Sequence, residues 1–168
     1  MRKVILNLAV SLDGFIEGPN GEFDWCFADQ DYGMKEFYKR VDSIFMGRKS
    51  YELVSKMGEN AYPGKKVYVF SRTLKKTANA EEIIAEDFEN KVQRIKSSPG
   101  KDIWLFGGAS LISSFVNSKL VDELMLSVHP ILLGRGKPLF AEINDRTSVK
   151  FIQAKTYSSG LVQLFYSL

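Results

Sequence analysis

Three short segments of this sequence hold groups that bind anions, and each stands where an apolar run stops. Gly47-Arg48-Lys49-Ser50 follows the run Ser43–Met46. A helix starting there would leave backbone N–H groups free, and these groups together with the Ser50 hydroxyl are ligands for phosphate oxygens. Two cations at a helix start work against the positive end of the helix dipole by about 0.3–1 kcal/mol each, and a bound anion reverses that sign. The alternative leaves Arg48 and Lys49 in solvent at that small cost. Ser71-Arg72-Thr73 follows the run Lys66–Phe70. A guanidinium fork between two hydroxyls suits a phosphomonoester, and the alternative is an ordinary polar turn. Phe106-Gly107-Gly108-Ala109-Ser110-Leu111 follows a third run. Adjacent glycines let backbone approach a ligand with no Cβ in the way, and a pyrophosphate could sit on the next helix start. The spaced dinucleotide fingerprint is absent, since its third glycine and acidic residue are missing, and a tight turn is the alternative.

Other segments carry less specific signals. In Ser11-Leu12-Asp13-Gly14-Phe15-Ile16, Asp13 could anchor or protonate a substrate, or it could cap a turn through nearby backbone. Phe15, Trp25 and Tyr32 could stack on a flat ring or belong to the core. Pro130 to Phe140, with Gly134, Gly136 and Pro138, reads as a loop with an apolar anchor, and His129 before it reads as a strand-end residue. The sequence has one cysteine, Cys26, and one histidine, His129. That pair cannot make an intramolecular disulfide or a Cys/His zinc cluster, so no metal site is expected and a reducing cytoplasm fits.

The elements that must position these groups follow from the periodicities. Lys3 to Val10 is nearly continuous in apolar residues, as in a strand buried on both faces. Met34, Phe37, Tyr38 and Val41 fall on one helical face, and Arg48 to Lys56 reads as a second helix. Phe88, Val92 and Ile95 mark a third helix, and Leu111, Ile112, Phe115 and Val116 a fourth. Strands are expected at Ser43–Met46, Lys66–Phe70, Ile103–Phe106 and Asp122–His129, with a hairpin of Val149–Thr156 and Leu161–Ser167 around Ser158-Ser159-Gly160. Strands alternating with helices imply an α/β sandwich with a mostly parallel central sheet and an antiparallel C-terminal hairpin. Ligands of such sheets bind at the carboxyl ends of the strands. The three anion segments occupy those ends, and two basic ends meeting on one 2′-phosphate would select NADPH over NADH.

Bulk properties set the outer limits. The chain has 168 residues, 45% of them hydrophobic and 26% charged, and reads as one domain over 1–168 without repeats or linkers. No apolar run reaches the roughly 20 residues that cross a bilayer. Asn7, Ser11 and Asp13 interrupt the first apolar run too early for a signal peptide. The net charge of +3 comes from scattered basic residues, which suits a small anionic ligand and does not suggest nucleic acid.

In order, Ser11-Leu12-Asp13-Gly14, Met46-Gly47-Arg48-Lys49-Ser50-Tyr51-Glu52, Phe70-Ser71-Arg72, Phe106-Gly107-Gly108-Ala109 and Leu132-Leu133-Gly134-Arg135-Gly136-Lys137-Pro138-Leu139-Phe140 make a pattern. It resembles the dihydrofolate-reductase-like superfamily and, more narrowly, the reductase domain at the C-terminus of the bifunctional riboflavin-biosynthesis deaminase/reductase. The resemblance spans nearly the whole chain. It implies the dihydrofolate-reductase-like three-layer fold and NADPH-dependent reduction of a small heterocycle, an aminouracil ribosyl phosphate first and a pterin or folate second. A binding protein that has lost catalysis is a third reading. The resemblance also implies that Gly47, Arg48, Lys49, Ser50, Ser71, Arg72 and Thr73 hold the 2′-phosphate. Gly107, Gly108, Ala109, Ser110 and Leu111 would hold the pyrophosphate, and Ala9, Asp13 and Ile16 would flank the nicotinamide. Members often dimerise through the C-terminal strands. The sequence departs from the family in two ways. It has neither room nor ligands for a zinc deaminase domain. The first-helix carboxylate of dihydrofolate reductases falls on Asp31 by one alignment and on Met34 by another.

Overall fold

The continuous apolar runs become the inner strands of an eight-stranded sheet, because only a strand covered on both faces can bury every side chain. The computed structural model describes residues 1–56, 58, 61–77 and 80–168. In chain order the elements are β1 (Val4–Ser11), β2 (Phe15–Glu17), α1 (Met34–Arg40), β3 (Val41–Gly47), α2 (Arg48–Ser55), β4 (Lys66–Phe70) and β5 (Glu82–Ile84). Then follow α3 (Phe88–Ser97), β6 (Asp102–Gly107), α4 (Ala109–Asn117), β7 (Glu123–His129), β8 (Lys137–Pro138), β9 (Lys150–Thr156) and β10 (Val162–Ser167). The sheet runs β5-β4-β3-β6-β1-β7-β10-β9. All pairings from β5 to β7 are parallel, and β10 lies antiparallel to both β7 and β9.

Alternate residues of each inner strand feed two separate cores. Ile5, Ile44, Met46, Trp104 and Met125 pack with Phe37 of α1 and Val54 of α2. Leu6, Phe45, Ile103 and Leu105 pack with Val92 and Ile95 of α3 and with Ile112 and Phe115 of α4. The result is the expected three-layer α/β sandwich with its C-terminal hairpin. Along β9 every residue is exposed, Phe151 at 58%.

Three details differ from the periodicity reading. Val41 is extended (φ −108°, ψ 148°) and begins β3 instead of closing α1. Lys65 Nζ donates to the carbonyls of Tyr38 and Val41, both at 2.5 Å, which satisfies the end of that short helix. The short strand β5 and the two-stranded sheet of β2 and β8 lie in segments without a visible strand pattern.

At the amino ends of the strands, charges are paired. The buried Arg2 guanidinium bonds Asp42 and Ser43 Oγ, and Asp42 Oδ2 accepts from Lys101 N at 2.7 Å. Lys96 meets Asp122 at 2.7 Å, and Arg40 meets both Asp102 and Glu123.

Candidate functional site

At the other end of the sheet the strand register decides what meets what. β4, β3 and β6 are neighbours, with Gly47 opposite Phe70 and Met46 opposite Gly107. The three anion segments therefore leave the sheet side by side. They line one cleft of about 920 Å³, formed by Gly47, Arg48, Lys49 and Ser50, by Ser71, Arg72 and Thr73, and by Gly108, Ala109, Ser110 and Leu111. Ile84 and Phe88 add an apolar wall. Gly107 stands just behind this lining. Its φ of +116° favours glycine, and a Cβ there would lie 3.2 Å from Ile112 Cδ1.

Both helices that start in the cleft start bare. Gly47 and Gly108 are the N-cap residues of α2 and α4, and neither helix has a side-chain cap. Their first-turn N–H groups are thus left for a ligand or water. A Cβ on Gly47 would sit 3.6 Å from the Gly107 carbonyl oxygen, and one on Gly108 would sit 3.7 Å from Ser50 Oγ. Arg48 is held back on its own helix by Glu52, Nη1 to Oε1 2.9 Å. Among the described residues, Lys49 and Arg72 have no carboxylate partner. The two readings of Ser71-Arg72-Thr73 divide between its residues. Ser71 Oγ accepts from the N–H groups of Thr73 (3.2 Å) and Leu74 (2.9 Å), so it builds the turn, whereas Arg72 and Thr73 stay exposed.

The structure adds residues that sequence reasoning passed over. Glu17, Gly21, Lys137 and Glu142 also line the cleft, and Lys137 Nζ meets Glu17 Oε2 at 2.5 Å between β2 and β8. Ser113, 3% exposed, lines it too, and its hydroxyl has no partner among the described residues. Lys137 stood within a motif already marked, whereas the others gave no signal.

From the chain after β1, Glu17 and Gly21 reach this cleft, whereas the expected Ala9, Asp13 and Ile16 do not line it. Asp13 accepts from Ser11 Oγ at 2.6 Å, Leu133 N at 3.1 Å and Gly134 N at 2.7 Å. The Ser11 hydroxyl first, and then the two backbone groups, hold its carboxyl below the usual carboxylate range. Asp13 thereby acts as the turn cap that ties residues 133–134 to β1. Ile16 packs into the α4-side core and Ala9 pairs with Ser127 of β7, so neither lines the cleft. Gly136 shows how tightly the second loop is held there: a Cβ on it would fall 2.1 Å from the Glu17 carbonyl oxygen.

None of the three aromatic candidates for ring stacking lines this cleft. Phe15 pairs with Pro138. Trp25 sits edge-on to His129 at 5.3 Å. Tyr32 is buried, with its hydroxyl on Asp29 and Ser159 and its ring 4.8 Å from that of Tyr157. His129 is buried, which lowers its pKa. Its Nε2 accepts from Phe27 N at 3.1 Å, and its Nδ1 donates to the Ser127 carbonyl at 2.9 Å. These contacts dock the chain before α1 onto β7 and the turn between β9 and β10. Asp31 caps the start of α1 by accepting from Lys35 N at 3.1 Å, and Met34 faces the sheet beside Asn7.

Residues 2–163 match the RibD C-terminal domain family. Two Bacillus subtilis (strain 168) proteins align over 98% of this chain: the uncharacterized YyaP, 47% identical over 94% of its own length, and YwjB, 34% identical over 97%. A Shewanella sp. PV-4 structure assigned to riboflavin biosynthesis superposes with TM-score 0.84 at 26% identity, covering 99% of this chain and 98% of that one. A Thermotoga maritima diaminohydroxyphosphoribosylaminopyrimidine deaminase/5-amino-6-(5-phosphoribosylamino)uracil reductase shares the fold, with TM-score 0.76 at 15% identity, over 99% of this chain and 56% of that one. Among the described residues no helix is long and apolar enough to cross a membrane, and no His/Cys/Asp/Glu group could hold a metal ion.

Proposed function

The chain belongs to the RibD C-terminal domain family, and from that membership we propose that it is an NADPH-dependent reductase of a small heterocycle. The leading substrate is 5-amino-6-(5-phosphoribosylamino)uracil. The observation that carries this reading is the convergence on one cleft of three strand ends, two bare helix starts and two cations without a carboxylate partner among the described residues. A dinucleotide diphosphate needs those groups, and a buried hydrocarbon would need none of them.

In this reading Arg72, Lys49, Ser50 and Thr73 hold the 2′-phosphate. The first-turn N–H groups of α4 hold the pyrophosphate, which the paired glycines allow to approach the backbone. The nicotinamide supplies the hydride when bound. The protein contributes orientation and exclusion of water. With Asp13 committed to its turn, the proton reaches the substrate from water.

Steady-state NADPH oxidation tests the proposal. Turnover with the aminouracil ribosyl phosphate and none with dihydrofolate is the expected result. The reverse preference would make it a pterin-type reductase, and failure to bind NADPH at all would sink the cofactor assignment. The engagement of Asp13 favours one second reading, a nucleotide-binding protein without catalysis. Tight NADPH binding with no turnover on either substrate would establish it.

A further inference from the structure

The chain between β2 and α1 is fastened unevenly. Its later part has several ties. The Tyr32 hydroxyl bonds Ser159 Oγ at 2.9 Å, and the Tyr32 carbonyl accepts from Gln163 Nε2 at 2.8 Å. Among the described residues, the earlier part, residues 23–28, makes one hydrogen bond to the body of the molecule, from Phe27 N to His129 Nε2 at 3.1 Å. The His129 ring is buried against the rings of Trp25, at 5.3 Å, and Phe27, at 5.0 Å. Trp25 Nε1 is sealed from solvent without a partner among the described residues, so the docked arrangement leaves a donor unsatisfied.

The acceptor of that single bond can take a proton near neutrality. Nδ1 donates to the Ser127 carbonyl at 2.9 Å, which leaves the Nε2 lone pair for Phe27. A proton on Nε2 sets one N–H against another in a place shut off from water. Ionisable groups surround the ring on several elements. The docked segment and the chain leading into α1 carry Asp24, Cys26, Asp29 and Asp31, and the turn after β1 carries Asp13. The loop after β7 carries Arg135, and β9 and the turn after it carry Lys155 and Tyr157. None of them bonds the imidazole. Asp29 accepts from the Tyr32 hydroxyl, Asp31 from Lys35 N, and Lys155 lies over the Tyr157 ring at 5.0 Å. Asp13 and Asp29 are held below the usual carboxylate range, chiefly by the Ser11 and Tyr32 hydroxyls, and so titrate outside the histidine window.

We propose that His129 is a proton-operated latch: neutral, it pins residues 23–28 to β7, and charged, it releases them about the Tyr32 anchor. Burial holds the ring below the ordinary histidine value of 6.5, against the pull of the Ser127 and Val10 carbonyls. The released ring takes its proton first, so docking is at full strength above that value and is lost as the pH falls below it. The turn at 18–22, which brings Gly21 to the cleft, leads directly into the latched segment. A proton on β7 is thereby felt at one wall of the cleft, whichever ligand the cleft holds.

The test uses the full-length protein, with its sole cysteine as reporter. Cys26 lies between Trp25 and Phe27, and burial, with Asp24 nearby, pushes its thiol up to about 11. A dipyridyl disulfide, which reacts with thiols in mild acid, reads its accessibility. Each rate is divided by that of the urea-unfolded protein at the same pH. In the wild-type protein this ratio should rise about tenfold as the pH falls from about 7.5 to about 5.5, reversibly and with an unchanged far-UV circular dichroism spectrum. His129 is the sole histidine, so its ring C–H signals titrate without overlap in NMR spectra, and their midpoint should coincide with that of thiol exposure. His129→Gln keeps an acceptor but takes no proton, and its ratio should stay flat. A flat wild-type ratio overturns the proposal, as does a midpoint apart from that of the ring, an equal rise in His129→Gln, or a rise that accompanies general unfolding. Should His129→Gln fail to fold, the two wild-type midpoints decide alone. No nucleotide enters the measurement, so its outcome is separate from that of the reductase reading.

Discussion

Arg2 and Arg72 sit at opposite ends of the same parallel strands, in contrasting surroundings. Arg2 is buried, bonded to Asp42 and Ser43, and walled in by the chain around Lys101. Arg72 is exposed, beside a cleft into which two helices open without caps. Nearby, Lys96 and Arg40 repeat the first pattern, and Lys49 repeats the second. At the amino end the charges complete one another and leave nothing for a ligand. At the carboxyl end Arg48 and Lys137 are paired with Glu52 and Glu17, but Lys49 and Arg72 have no carboxylate partner among the described residues. The parallel arrangement explains why the asymmetry falls this way, since helices that follow strands begin at the strands' carboxyl ends and bring their unbonded N–H groups there.

The contrast can be broken from either side. The largest effect should come from Asp42→Ala, which strands the buried Arg2 guanidinium. Urea unfolding should show a loss of about 3 kcal/mol, the lower end for a buried pair because Asp42 is partly exposed and Arg2 keeps its bond to Ser43, while the folded fraction binds NADPH as before. A loss of NADPH affinity at constant stability would mean that the two ends are not separable. Next in size, Arg72→Ala should weaken NADPH by about 1.5–3 kcal/mol, the strength of a charge-assisted contact. It should leave NADH and the urea midpoint almost unmoved, and equal losses for both nucleotides would remove Arg72 from the 2′-phosphate. The smallest effect sharpens the comparison. Lys49→Glu should stabilise the nucleotide-free protein by about 0.3–1 kcal/mol, because a carboxylate suits the start of α2 better than an ammonium, and the same change should weaken NADPH. A stability loss with NADPH binding intact would make Lys49 an ordinary surface residue.

Much of the fold could be read from residue order, because β1, β3 and β6 each hold a nearly continuous apolar run and the four helices repeat their apolar faces. β2 and β8, of three and two residues, are too short to show a period. The cleft was legible through its glycines and basic residues at strand ends. Other roles depend on partners far along the chain. Asp13 meets Leu133 and Gly134, and Tyr32 meets Tyr157 and Ser159. No local pattern distinguishes such an aspartate from a proton donor, or such a tyrosine from a stacking platform.

The position of β1 within the sheet has a consequence for how the molecule is made. Val4 pairs with Ile103 and Ile5 with Glu123. Both edges of this strand therefore wait for segments that leave the ribosome about a hundred residues later, and such high contact order slows folding. Until then its apolar stretch is open to a chaperone or to another nascent chain.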